Sequence, residues 1–215
     1  MSATLLDRVK VTTGAAIAPL TVEQYHKMIE TGTLRDGDPL ELIDGLLVMK
    51  DRGDCGDNLM HGLRHTQAMM NLDDVLSGIQ NAGRAFKRMQ LPLVLADNQS
   101  PEPDAAIIRG HRSIFANRQP GPSDVVAVFE VSNSSLSYDR SSKLAVYAAA
   151  GIPVYVIVNL VDQTFEVYRQ PSMTERMYAQ REDLHNGQSL SIDLPEGNTF
   201  LIAVDDVLAA GADGE

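Results

Sequence analysis

Apolar positions change their period along this chain, and each change marks an element. Residues 125–131, V-V-A-V-F-E-V, are almost continuously apolar and rich in Val. That run predicts a strand covered on both faces, because a half-exposed strand would alternate. The next apolar run, K-L-A-V-Y-A-A-A, has helical character and stops at Gly151, with Pro153 just beyond. Ser137 or Asp139 is placed to cap its start. Residues 154–158, V-Y-V-I-V, predict a second buried strand. Strand, helix and strand with short links form a βαβ unit, so the two strands are expected to be parallel neighbours.

The flanking segments extend this unit. Residues 20–30 predict a short amphipathic helix, with Thr21 as N-cap, Gln24 completing a capping box and His26 on the solvent side. Residues 40–50 predict a hairpin turning at Asp44-Gly45. A helix is expected over about 60–79, and a bent strand pair over 84–95, interrupted at Pro92. A strand opens at Asp104, whose approach is stiffened by Pro101 and Pro103. Residues 164–169 alternate, which predicts a strand with one face exposed. Short strands are expected at 177–181 and 190–192, and a last turn at 204–208. Residues 1–19 read as a loosely held arm, 20–209 as a single domain and 210–215 as a frayed tail.

Composition narrows the class. None of the 215 residues belongs to an apolar run long enough to span a membrane or serve as a signal peptide. Cys55 is the sole cysteine, so an internal disulfide is excluded. Together these features predict a cytoplasmic protein. The net charge of −11 argues against a protein that coats nucleic acid. It does not exclude an enzyme whose acidic site takes cations, since bound ions reverse the local field. Arg84, Lys87 and Arg88 supply local positive charge.

Candidate chemistry starts at Glu130, near the end of a strand that otherwise looks like core. An ionised carboxylate there is costly unless it is paired or binds a cation, although a lone Glu also fits a strand end reaching solvent. Asp104 stands at the end of another core strand. Lys143 and Tyr147 are i, i+4 on the following helix, with Asp139 one turn earlier. Two strand-end carboxylates can hold a divalent cation through oxygen, and a nearby Lys can orient a water. This is the minimum equipment for metal-assisted phosphodiester hydrolysis. Glu41, read by alternation alone, faces outward. His61 and His65 are one turn apart, a spacing that can bind metal, but no Glu follows His61 as a zinc-protease motif requires.

The order and spacing of several short motifs resemble the Uma2 family, a branch of the PD-(D/E)XK restriction-endonuclease-like superfamily. The matching pieces are L-T-V-E-Q-Y, E-L-I-D-G, P-D-A-A-I-I, E-V-S-N-S-S, Asp139, K-L-A-V-Y and A-G-I-P-V-Y-V-I-V. The resemblance implies an α/β fold: a restriction-endonuclease-like core, a mixed β-sheet flanked by helices, with extra C-terminal strands. Carried over, Pro103-Asp104 matches the "PD", Glu130 the second acid, Lys143 a lysine moved onto the next helix, and Glu41 the E-L-I-D-G acid. The usual superfamily lysine position holds Ser132. The implied function is a Mg²⁺- or Mn²⁺-dependent DNA endonuclease. A homodimer is expected with it, because enzymes that cut both strands of a duplex commonly match its two-fold symmetry, with the half-exposed strands after Asn159 as the self-complementary surface. Asp104 and Glu130 would ligate the metal, Glu41 would be a third acid, and Tyr147 and Ser132 would support them. Two rivals stand beside it: an inactive scaffold keeping the fold, and a hydrolase of small phosphoesters. Lys143→Ala is expected to leave the fold intact, because Leu144, Val146 and Ala148 supply the helix packing.

Overall fold

A computed structural model describes residues 4–14, 16–35, 37–50, 59–82 and 84–208. Its elements run α1 (Leu5–Thr13), α2 (Val22–Glu30), β1 (Leu40–Ile43), β2 (Leu46–Met49), α3 (Leu59–Ser77), α4 (Ile79–Ala82), β3 (Ala85–Met89), β4 (Ala105–Arg109) and β5 (Val125–Ser132). There follow α5 (Leu136–Tyr138), a π-helical turn (Asp139–Lys143), α6 (Leu144–Ala149), β6 (Val154–Asn159), β7 (Thr164–Ser172), β8 (Met177–Leu184), β9 (Ser189–Asp193), β10 (Thr199–Ala203) and α7 (Val204–Val207).

The main sheet has six strands in the order β3-β4-β5-β6-β7-β8. Only β5 and β6 pair in parallel; the other neighbours are antiparallel. The expected βαβ unit is therefore present, and all eight residues of β5 are buried. One sheet face packs Phe129, Val131 and Val156 against Leu72 and Leu76 of α3, with β9, β10 and α7 completing the layer. The other face packs Val128, Tyr155 and Ile157 against Val146 and Tyr147 of α6. A continuous apolar run is what such double coverage requires.

Local chemistry explains the ends. Thr21 accepts from the Gln24 N–H at 3.1 Å while Gln24 accepts from the Thr21 N–H at 2.9 Å, closing the expected capping box. The β1–β2 turn has positive φ at Asp44 (50°) and Gly45 (76°), as a tight hairpin demands. A side chain at Gly45 would also collide with Pro19.

Several expectations change. The stretch read as a loose arm carries α1, held by its own capping box between Thr4 and Asp7 and by the Leu5 N–H donating to Asp44 at 2.7 Å. The helix before β6 begins at Leu136, earlier than a cap at Ser137 or Asp139. Asp139 lies inside it, with its carboxylate turned onto Ser132 and Ser135. The strand pair expected over 84–95 is only β3; beyond Gln90 the backbone bonds to irregular chain, as in Leu93 N–H to Pro101 O. The helix expected over about 60–79 ends at Ser77 and restarts as α4. β7 is not half-exposed: its first five residues are buried, because Phe165 and Val167 pack under β9 and β10 on one face while Glu166 and Tyr168 lie under the helix carrying Arg140 and Tyr147 on the other. β10 had no counterpart in the sequence reading. Cys55 and the tail 210–215 lie outside the described residues.

Candidate active site

Antiparallel pairing of β4 with β5 sets Ala105 opposite Phe129. Asp104, one residue before β4, is thereby brought beside the Glu130–Val131 end of β5. The Val131 N–H donates to Asp104 Oδ2 at 2.7 Å, which fixes that carboxylate. Glu130 points to the α6 side of the sheet, where the Tyr147 hydroxyl donates to it at 2.6 Å. Lys143 Nζ lies 3.0 Å from Glu130 Oε1 and 2.7 Å from Glu41 Oε2. Glu41 reaches the site from the hairpin and also accepts from the Glu102 N–H at 3.2 Å.

The four sequence-predicted residues, Asp104, Glu130, Lys143 and Glu41, thus line one cavity of about 380 Å³. Glu41 is only 1 % exposed, so the outward-facing position expected from alternation is wrong for it. The hairpin face that carries Glu41 packs Ile43 and Val48 into the core on the α6 side of the sheet, so Glu41 is turned inward onto the cavity. Lys143 is 4 % exposed between two carboxylates. Its ammonium therefore belongs to the buried charge balance, which the expectation that Lys143→Ala leaves the fold intact, argued from helix packing alone, did not count.

Charge in the cavity is undercompensated. Burial pushes the Glu130 carboxyl up to about 8; Lys143 pulls against this, while Asp104, Asp139 and Glu41 add to it. Burial also raises Asp139, partly offset by hydrogen bonds from Ser132 at 2.5 Å and Ser135 at 2.7 Å. Burial opposes the charged form of Lys143, but Glu130 and Glu41 outweigh it and hold the ammonium protonated. Lys50, on the cavity rim, is paired with Glu102.

Three features escaped the sequence reading. The first is the π-helical turn, in which the Leu144 N–H reaches back five residues to Asp139 O. Such turns accompany functional sites, and no residue pattern announces them. The second is Tyr138, five residues before Lys143 and on the same cavity wall. Its hydroxyl is buried without a hydrogen-bond partner among the described residues. The third is the Lys50–Glu102 pair on the rim. His65 also lines the cavity, with Nε2 3.9 Å from Asp104 Oδ2, too far for a direct hydrogen bond. The side chain of His61 lies outside the described residues.

The donor chemistry suits a hard divalent cation, since Asp104 and Glu130 offer carboxylate oxygens and the excess negative charge would be relieved by one. Among the described residues, no three His, Cys, Asp or Glu side chains form a group that could hold a metal ion by themselves.

A mixed sheet flanked by helices, with an acidic cavity at the ends of its central strands, is a restriction-endonuclease-like core. The fold is shared with a solved structure described as "a putative nuclease belonging to DUF820 from Anabaena variabilis ATCC 29413". That match has a TM-score of 0.59 at 15% identity and covers 89% of this chain and 98% of the other. The model of the Uma2 family, described as "Putative restriction endonuclease", matches residues 22–204, and the chain belongs to that family. No curated protein matches the chain. Among the described residues, no helix is long and apolar enough to cross a membrane.

Proposed function

We propose that this chain is a Mg²⁺- or Mn²⁺-dependent endonuclease that hydrolyses DNA phosphodiester bonds. The observation that carries the reading is the convergence of Asp104, Glu130, Glu41 and Lys143, from four separate elements, on one cavity. Asp104 and Glu130 would hold the cation, which would neutralise phosphate charge and lower the barrier to attack by water. Tyr147 orients Glu130 by its hydrogen bond. Glu41 and Glu130 keep Lys143 protonated, so it acts as a donor and not as a base. Its work is to orient the attacking water and to stabilise negative charge that grows on the phosphate. Ser132 and Ser135 hold Asp139 on the cavity wall.

An endonuclease that cuts both strands of a duplex commonly uses two-fold symmetry to match it, so the working form is proposed as a homodimer. Sedimentation at micromolar concentration checks this; a monomer contradicts the dimer and leaves nicking or single-strand cleavage. The primary test is cleavage of plasmid and single-stranded DNA with Mg²⁺ or Mn²⁺, alongside Asp104→Asn. Cleavage that needs the metal and Asp104 supports the proposal. Absence of both cleavage and metal binding sinks it and leaves the scaffold reading.

A further inference from the structure

Positive charge is concentrated on one strand pair of this acidic chain. Residues 84–89 and 105–112 make β3, β4 and the turn after β4. They carry five of the 18 Lys and Arg residues and no Asp or Glu, although the net charge of the whole chain is −11. Three of the five are engaged: Arg84 with Glu196, Lys87 with Asp73, and Arg88 with Gln119. Arg109 and Arg112 are exposed, and their side chains make no ion pair or hydrogen bond among the described residues. The fold therefore spends no interaction on these two charges.

The two ends of the strand pair differ in charge. At one end the Gln90 N–H donates to Asp104 O at 3.0 Å, beside the acidic cavity, whose lining includes Glu41, Glu102, Asp104, Glu130 and Asp139. At the other end the Gly110 N–H donates to Arg84 O at 2.7 Å. That bond ties the turn bearing His111 and Arg112 to the start of β3, and a concavity of about 640 Å³ opens there. Arg84, His111 and Arg112 line it, and no carboxylate does. The Ser113 N–H donates to His111 Nδ1 at 3.3 Å, so the neutral imidazole carries its proton on Nε2, as one more donor. From Asp104 to Gly110 the chain spans about 20 Å, at about 3.4 Å per residue.

We infer that this basic end is a docking surface for the phosphate backbone of duplex DNA, about six nucleotide steps from the phosphodiester at the acidic cavity. Duplex DNA advances about 3.4 Å per step, so about six steps cover the length of the strand pair. Arg109 and Arg112 supply the guanidinium groups, whose paired donors match phosphate oxygens. A chain of this net charge repels a polyanion, so binding needs a local patch of the opposite sign. A small free anion is a poorer fit, because no buried side-chain donor lines the concavity to enclose one. The spacing rests on the nuclease reading for the phosphodiester, but binding at the patch is measurable without cleavage.

The test follows binding of the full chain to labelled blunt duplexes of two unrelated sequences by fluorescence anisotropy, in EDTA and over a range of salt. Arg109→Gln/Arg112→Gln is expected to weaken both duplexes alike. It should reduce the slope of log K against log salt by about 2, one for each lost phosphate contact. Its melting temperature should match the parent's, because these arginines hold no partner in the fold. Arg8→Gln/Lys10→Gln removes the same charge from α1 and should change the slope by less than half as much. With Mg²⁺ or Mn²⁺ the first variant should raise KM and spare kcat, since its arginines are remote from the reacting phosphate. No duplex binding by the parent, equal slopes for the parent and the first variant, or equal losses in both variants overturns the patch. Inorganic triphosphate that binds as tightly as the duplex and depends on the same arginines assigns the patch to small polyphosphates, and also overturns it. Metal-dependent cleavage with KM unaltered in the first variant overturns the patch alone. Salt-sensitive duplex binding that depends on both arginines, with no cleavage by the parent in Mg²⁺ or Mn²⁺, keeps the patch and overturns the nuclease reading.

Discussion

Glu130 on β5 and Glu166 on β7 stand in one row of the sheet, with Ile157 of β6 between them. Both face the helix that spans α5, the π-helical turn and α6, and both are buried. Arg140 of that helix bridges Glu166 through both Nε and a terminal nitrogen, and Tyr168 and Asn159 donate at 2.8 Å and 2.7 Å. Arg181 approaches to 3.4 Å. Burial alone would raise the Glu166 carboxyl, but Arg140, Tyr168 and Asn159 outweigh it and hold it below the usual range. Glu130 shares its one lysine with Glu41 and has two further carboxylates, Asp104 and Asp139, acting on it, so burial prevails. The same residue type, in the same row, is saturated at one place and left wanting positive charge at the other. A saturated carboxylate holds the fold together; an undersupplied one is available to a cation.

The sharpest way to break this contrast is Lys143→Ala. Cleavage is expected to fall roughly 100- to 1000-fold, the usual loss for one donor to developing charge. Stability should fall as well, by up to about 3–5 kcal/mol, because two buried carboxylates lose their cation. Melting curves measure the second effect. The triple variant Glu41→Gln/Glu130→Gln/Lys143→Met, which removes both carboxylate charges with the ammonium, should recover most of the melting temperature yet cleave nothing. If Lys143→Ala cleaves at the parent rate, the lysine is no part of the chemistry.

Glu166→Ala should lower stability while leaving the metal site alone. Stability is expected to drop toward the lower end of about 3–5 kcal/mol, since the partner Arg140 is partly exposed and screened. Calorimetric affinity for Mn²⁺ should stay within a factor of about 2, as an interaction removed at a distance from the ligands has little leverage. A Mn²⁺ affinity that falls as far as in Glu130→Gln would erase the distinction between the two clusters.

The two glutamates also predict opposite limbs of the stability–pH curve. Glu130 has an ordinary value of 4.5 and a folded value of about 8. The folded chain therefore holds a proton that the unfolded chain lacks, and stability declines as pH rises through that window. Glu166 is lowered from 4.5, so its contribution is present above that value and is lost as pH falls through its folded value. In metal-free buffer, Glu130→Gln should flatten the decline between pH 4.5 and about 8, and Glu166→Gln the loss on the acid side. Thermal melting across pH 3–9 reads both, and identical profiles for the two variants would contradict the contrast.

The smallest effect is expected at Tyr138→Phe. Removing an unpaired buried hydroxyl should leave melting unchanged or slightly raised. If the phenol completes its hydrogen bond on substrate, cleavage falls by about 3- to 10-fold, the worth of one such bond.

Residue order alone determined the central βαβ unit, because a Val-rich run, an Ala-rich helix and a Gly-Pro stop are local signals. It determined the hairpin at Asp44-Gly45 and the Thr21 cap for the same reason: turns and caps are settled within a few residues. Asp104, Glu130 and Lys143 were also legible, the two acids from their places at strand ends and the lysine from its helix face and its match to the family motif. What the sequence could not decide is which polar groups meet across long separations. Glu41 looked outward until the hairpin folded over the sheet and set it 2.7 Å from Lys143, 102 positions away. Tyr138 and Lys143 share one cavity wall across a π-helical turn that no residue pattern announces. The opposite fates of Glu130 and Glu166 depend on how many cations the tertiary structure brings to each. Periodicity records which face a side chain takes, but charge balance is a property of the packed neighbourhood, and only the folded chain sets it.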